Sequence, residues 1–174
     1  MVTAQADLHG RILHEDAERA WKYLVAERNI PPAHIAIYGH SLGSAVAIDL
    51  ASKHPEAGAL ITEGALTSIA DVADRFSFTA YLPVRLILTE RFDSISKIGA
   101  IHLPTLILHG EADRMSPPLS ARRLYDAAPG PKQLVLIAGG GHEDSAEAIP
   151  PAYFAALNGF LSHYGFKPVA GSAR

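Results

Sequence analysis

Gly39-His40-Ser41-Leu42-Gly43 lies between a short apolar run, His34-Ile35-Ala36-Ile37-Tyr38, and a small-residue helical pattern, Ser44-Ala45-Val46-Ala47-Ile48-Asp49-Leu50-Ala51. Strand, sharp turn and helix with a serine at the apex is the context of a G-x-S-x-G nucleophile elbow. The reading predicts that Gly39 and Gly43 are both required, because strand and helix backbones approach where a side chain would clash. Glycine and serine are common residues, each near ~7%, so the pentapeptide alone is a moderate signal. The flanking strand and helix give it weight.

A serine hydroxyl is a weak nucleophile until a base takes its proton, and the base needs an acid to orient it. On a strand–elbow–helix scaffold the chain order is Ser, then Asp or Glu, then His. Thr105-Leu106-Ile107-Leu108-His109-Gly110 reads as a strand, and Asp113 lies three residues beyond its glycine. Gln133-Leu134-Val135-Leu136-Ile137 reads as another, running into Gly139-Gly140-Gly141-His142. Singly, each residue has an ordinary structural role: Ser41 could cap a helix, Asp113 a turn or the helix near Pro117, and His142 could be a plain loop histidine. Their order, each just after a strand, predicts convergence at the C-terminal edge of one parallel sheet, where open α/β sheets place their sites. Glu63, after the strand that follows the elbow helix, is a rival for the acid. His40 occupies the variable slot beside the serine and is not expected to act in catalysis.

Taken with Leu66-Thr67-Ser68-Ile69-Ala70-Asp71-Val72-Ala73, Leu82-Pro83-Val84-Arg85, Arg91-Phe92-Asp93-Ser94 and Leu103-Pro104-Thr105 through Glu111-Ala112-Asp113, these motifs carry a resemblance over about residues 10–165. The chain resembles the α/β-hydrolase superfamily, in its serine-aminopeptidase-like and depalmitoylase-like branch. The resemblance implies Ser41 as nucleophile, Asp113 as acid and His142 as base. It implies an oxyanion hole built from the N–H of Leu42 and a second N–H on a loop after the family's third strand. One helix precedes the elbow strand here where a full member has about four strands. The expectation is therefore a partial fold, lacking that second donor and leaving residues 34–38 as an exposed apolar edge open to self-association.

The coarse reading is helix 14–28, strand 34–38, helix 43–53, strand 58–62, a helical insertion over 68–98 broken near Pro83, strand 104–109, helix 117–128, strand 132–137 and helix 151–164. Ala17, Ala20, Trp21, Leu24, Val25 and Arg28 would share a face of the first helix, which Pro31-Pro32 stops. Strands alternating with helices imply an α/β fold: a three-layer αβα sandwich around a mostly parallel sheet of about four strands. Residues 1–174 are expected to form one domain, with 68–98 as a lid-like insertion and 167–174 as a frayed tail. The insertion's Phe76, Phe78, Tyr81, Leu82, Leu86, Ile87 and Leu88 would pack it down or receive an acyl chain. Arg85 and Arg91 read as surface ion-pair partners.

A net charge of −3 with no basic stripe argues against a nucleic-acid partner. No apolar run is long enough to span a bilayer, and the N-terminus carries no signal-peptide pattern. The chain has no cysteine, which removes disulfides and thiol nucleophiles and fits a reducing compartment, with the cytoplasm as the default location. The nine histidines show no metal spacing, and Gly139–Gly141 leads to a histidine rather than a helix. No metal and no cofactor are expected. The reading is a serine hydrolase of carboxylic esters or thioesters acting on a small or acyl substrate. An aminopeptidase-type enzyme and a non-catalytic binding protein are the alternatives.

Overall fold

The computed structural model describes residues 2–67, 93–142 and 150–167, with side chains from residue 12 except at Pro150. Helix α1 (Val2–Lys22) opens the chain and closes in a wide turn over Tyr23–Glu27. Strand β1 (Ala36–His40) leads through Ser41 into α2 (Leu42–Lys53), followed by β2 (Ala59–Glu63). After the short α3 (Ser94–Ile98) come β3 (Thr105–Gly110), α4 (Pro118–Ala127), β4 (Lys132–Ile137) and α5 (Pro150–His163). Most of the expected 68–98 insertion, residues 68–92, lies outside the described residues. So does the tail from 168.

The four strands are parallel and run in sequential order, β1-β2-β3-β4. Right-handed crossovers between strands that advance in one direction put their helices on the same face. The core follows that rule. Ile48 and Ala51 of α2, Ile98 of α3 and Ala121 and Leu124 of α4 pack with Leu60 and Ile107 on one face, with Trp21 of α1 joining them. The last helix crosses no strand and covers the other face, where Tyr153, Leu157, Phe160 and Leu161 meet Ile61, Leu106 and Leu108. The result is the expected αβα sandwich. Central β2 and β3 are buried along their whole length, while β1 and β4 are partly open. Complete burial of Leu60, Leu106, Ile107 and Leu108 contributes about 1.5–3 kcal/mol each.

Two readings need correction. Strand β1 begins and ends two residues later than 34–38, because Pro32–His34 form a tight 3-10 turn, with His34 N donating to Pro31 O at 2.8 Å. Helix α1 starts well before residue 14, and Ala20 and Arg28 are exposed; Trp21 carries the buried stripe, with Ala17, Leu24 and Val25 half-buried. Trp21 stacks on His54 at 4.3 Å, and Glu18 accepts from His54 Nε2 at 3.0 Å, fixing α1 to the end of α2. Asp49 of α2 gathers His14 of α1 at 3.0 Å, Lys53 at 2.7 Å and Lys97 of α3 at 2.5 Å. Burial alone would raise its carboxyl, but the bonds from His14, Lys53 and Lys97 prevail and hold it well below the usual carboxylate range.

Candidate active site

Ser41 joins β1 to α2 with φ 52° and ψ −122°, a left-handed backbone that a non-glycine residue adopts only under constraint. Its N–H donates to Glu63 O at 2.9 Å, while Ser44 Oγ donates to Gly39 O at 2.8 Å and reaches Glu63 O at 3.1 Å. A Cβ on Gly39 would overlap the Gly43 carbonyl and lie 2.8 Å from Ala47 Cβ. The same atom on Gly43 would meet nothing within 4 Å, so the expectation that both glycines relieve a clash fails for Gly43. Its contribution is the bare backbone that Gly39 abuts. Leu42, the first residue of α2, places its N–H in the helical turn whose amides have no partner within the helix.

Asp113 follows β3 on a turn fastened to the next strand and its loop: Glu111 N donates to Ile137 O at 3.0 Å and Ala112 N to Gly140 O at 2.9 Å. The carboxylate is buried. Its Oδ1 accepts from Met115 N and Ser116 N, both at 2.8 Å, which fixes its plane and supports its charge. Its Oδ2 lies 2.7 Å from His142 Nδ1. The other ring nitrogen of His142 lies 2.8 Å from Ser41 Oγ. These partners assign the tautomer: Nδ1–H donates to Asp113, and Nε2 accepts from the serine hydroxyl.

Glycines shape the loops around this ring. Gly64, after β2, faces it, where a Cβ would sit in ordinary contact 3.4 Å from His142 Cε1 and Nδ1; its φ of 55° is what favours glycine there. Gly139 turns the loop at φ 75°, and a Cβ on Gly110 would overlap the Gly140 and Gly141 carbonyls. His40 Nε2 donates to His142 O at 2.9 Å, with the two rings 5.5 Å apart. Beneath Asp113, fully buried His109 donates from Nε2 to Ser116 O at 2.7 Å and stands 3.3 Å from Asp113 Oδ2. Burial pushes its imidazole below the ordinary range and favours the neutral ring.

Glu63 is engaged elsewhere. Its Oε2 accepts from Tyr38 Oη at 2.5 Å and Tyr153 Oη at 2.8 Å, and no bond joins it to His142. Burial, then the bond to Glu63, drives the Tyr38 hydroxyl far above its ordinary range; burial and Glu63 push Tyr153 up to about 12. The structure thus brings Ser41, Asp113 and His142 together and sets Glu63 apart. Sequence reasoning missed His109, Ser116 and Gly64 and dismissed His40. None stands out by spacing, since each contact depends on loops meeting across 51 to 102 positions or on a turn's local shape. Among the described residues no cluster of His, Asp and Glu could hold a metal ion, and no helix is long and apolar enough to cross a membrane.

Comparison with known proteins adds three kinds of likeness. A family model described as serine aminopeptidase, S33, matches residues 88–148. An uncharacterized protein of Mycobacterium tuberculosis is 38% identical over 132 residues, covering 76% of this chain and 46% of that protein. The alpha/beta hydrolase domain-containing protein 17C of Xenopus tropicalis is 30% identical over 151 residues, covering 87% of this chain and 46% of the relative. The chain thus spans about half the length of the curated relatives it matches. Among solved structures, the esterase domain of a Rhodothermus marinus protein superposes with a TM-score of 0.66 at 23% identity, covering 86% of this chain and 68% of that one.

Proposed function

The chain belongs to the α/β-hydrolase superfamily, and from that premise we propose that it is a serine hydrolase cleaving carboxylic esters or thioesters through Ser41, His142 and Asp113. One observation carries the reading: an unbroken line of hydrogen bonds from Ser41 Oγ through both nitrogens of His142 to Asp113, at 2.8 and 2.7 Å. His142 Nε2 takes the hydroxyl proton as Oγ attacks the acyl carbon, and the N–H of Leu42 faces the oxyanion. Asp113 holds the imidazole in the tautomer that exposes the basic nitrogen and stabilises the imidazolium that forms. The imidazolium returns its proton to the departing alkoxide or thiolate. Water, deprotonated by the same nitrogen, then releases the acid from Ser41. An ester is favoured over an amide because its leaving group departs more easily.

The test is labelling of the folded chain with a fluorophosphonate probe, with Ser41→Ala as control. Labelling that disappears in the variant supports the reading; a folded wild type that resists the probe overturns it in favour of a binding protein. The match to a serine aminopeptidase family favours a second reading, a peptidase. Faster cleavage of aminoacyl amides than of short acyl esters would replace the esterase assignment with that one.

A further inference from the structure

We infer that His40 is a positioning residue for His142, anchoring the backbone of the glycine loop that carries the imidazole. Its effect on rate rests on the hydrolase reading above; the anchor itself rests on geometry. A base must be held within about 0.5 Å of its productive place. His142 is delivered by three consecutive glycines, the residues least able to stiffen a loop. Bonds from Gly140 N to Ile137 O at 3.0 Å and from Ala112 N to Gly140 O at 2.9 Å hold the loop at Gly140. At His142 itself the ring's bonds pass through Nδ1 and Nε2, and Nε2 gains and loses a proton in each turnover.

The bond from His40 Nε2–H to His142 O does not cycle. A neutral ring with its hydrogen on Nε2 donates, and so does a protonated one. It also starts from the right place. His40 is the last residue of β1 and immediately precedes Ser41, so one side chain ties the nucleophile's strand directly to the backbone of the base. Stacking or shape could in principle explain the same contact, since the rings lie 5.5 Å apart at a tilt of 46°. Two substitutions separate these accounts. His40→Gln keeps a donor near the same point and loses the ring; His40→Phe keeps a ring and loses the donor.

The experiment measures the saturating rate and half-saturating concentration of fluorophosphonate labelling for wild type, His40→Gln and His40→Phe. The same three proteins are compared for the proton resonance of the His142 Nδ1–H···Asp113 bond. His40→Phe should lower the saturating rate by about tenfold or more with an unchanged half-saturating concentration, and should shift or abolish the resonance. His40→Gln should restore both. Equal behaviour of His40→Phe and wild type, or a His40→Gln variant as impaired as His40→Phe, overturns the anchor. If the wild type resists labelling, the hydrolase reading fails, and the resonance alone decides: a signal lost in His40→Phe and kept in His40→Gln upholds the anchor, and one unchanged in all three removes it.

Discussion

Ser41 holds a backbone conformation that costs about 1–3 kcal/mol, so its surroundings must over-determine it. They do so through the Ser41 N–H on Glu63 O, the Ser44 hydroxyl on Gly39 and Glu63, and the missing side chain at Gly39. The two glycines of the motif, indistinguishable in the sequence, therefore predict opposite outcomes. Gly39→Ala forces a methyl into the Gly43 carbonyl and should destabilise the fold by about 1–3 kcal/mol, the usual cost of overpacking. Gly43→Ala places a methyl in open space within α2 and should stabilise by about 0.5–1 kcal/mol, since alanine favours a helix. Urea unfolding of the two variants beside wild type checks both signs; equal effects would mean the elbow does not close as described.

Elements meet at the buried Glu63 carboxylate, where Tyr38 of β1 and Tyr153 of α5 bind the same oxygen. Tyr153 ionises at about 12 in the fold and near ~10 when unfolded. The folded state thus binds that proton more tightly. Its stabilisation is whole below the unfolded value and is lost as pH rises through the folded one. Wild type should lose more stability than Tyr153→Phe between pH about 10 and about 12, measured by urea unfolding, and the variant should start about 1–3 kcal/mol lower from the lost donor. Parallel curves would remove the link. Such contacts mark the limit of sequence reading. The boundaries of β4 follow directly from its apolar run between Pro131 and Gly139, and the sequential order of Ser41, Asp113 and His142 is enough to name three side chains that lie within bonding distance. The pairing of Glu63 with Tyr153, 90 residues away, follows from neither periodicity nor turn chemistry. The late start of β1 shows the same limit locally: Ile35 is apolar, yet the turn after Pro31 claims the residues before it.

The sheet has two edges among the described residues, β1 and β4, and β4 opens with a lysine, Lys132, that blunts its edge. Both central strands are covered on each side, but β1 has β2 as its sole neighbour among the described residues, and alternate backbone groups of an edge strand point away from its partner. Tyr38 on that edge is 50% exposed. Ala36–His40 holds no lysine, glutamate or proline of the kind that protects natural edges. The chain as it stands should therefore associate with itself through β1, the two strands pairing across a twofold axis as an isologous contact requires. Ala36→Pro tests this with little harm to the fold, because proline is tolerated at the first residue of an edge strand and Ile35 before it is already extended, at φ −105° and ψ 116°. Light scattering coupled to size exclusion should report a dimer for wild type that strengthens with concentration, and a monomer for Ala36→Pro. A wild type that stays monomeric, or a variant that still dimerises, would show that β1 is not the contact.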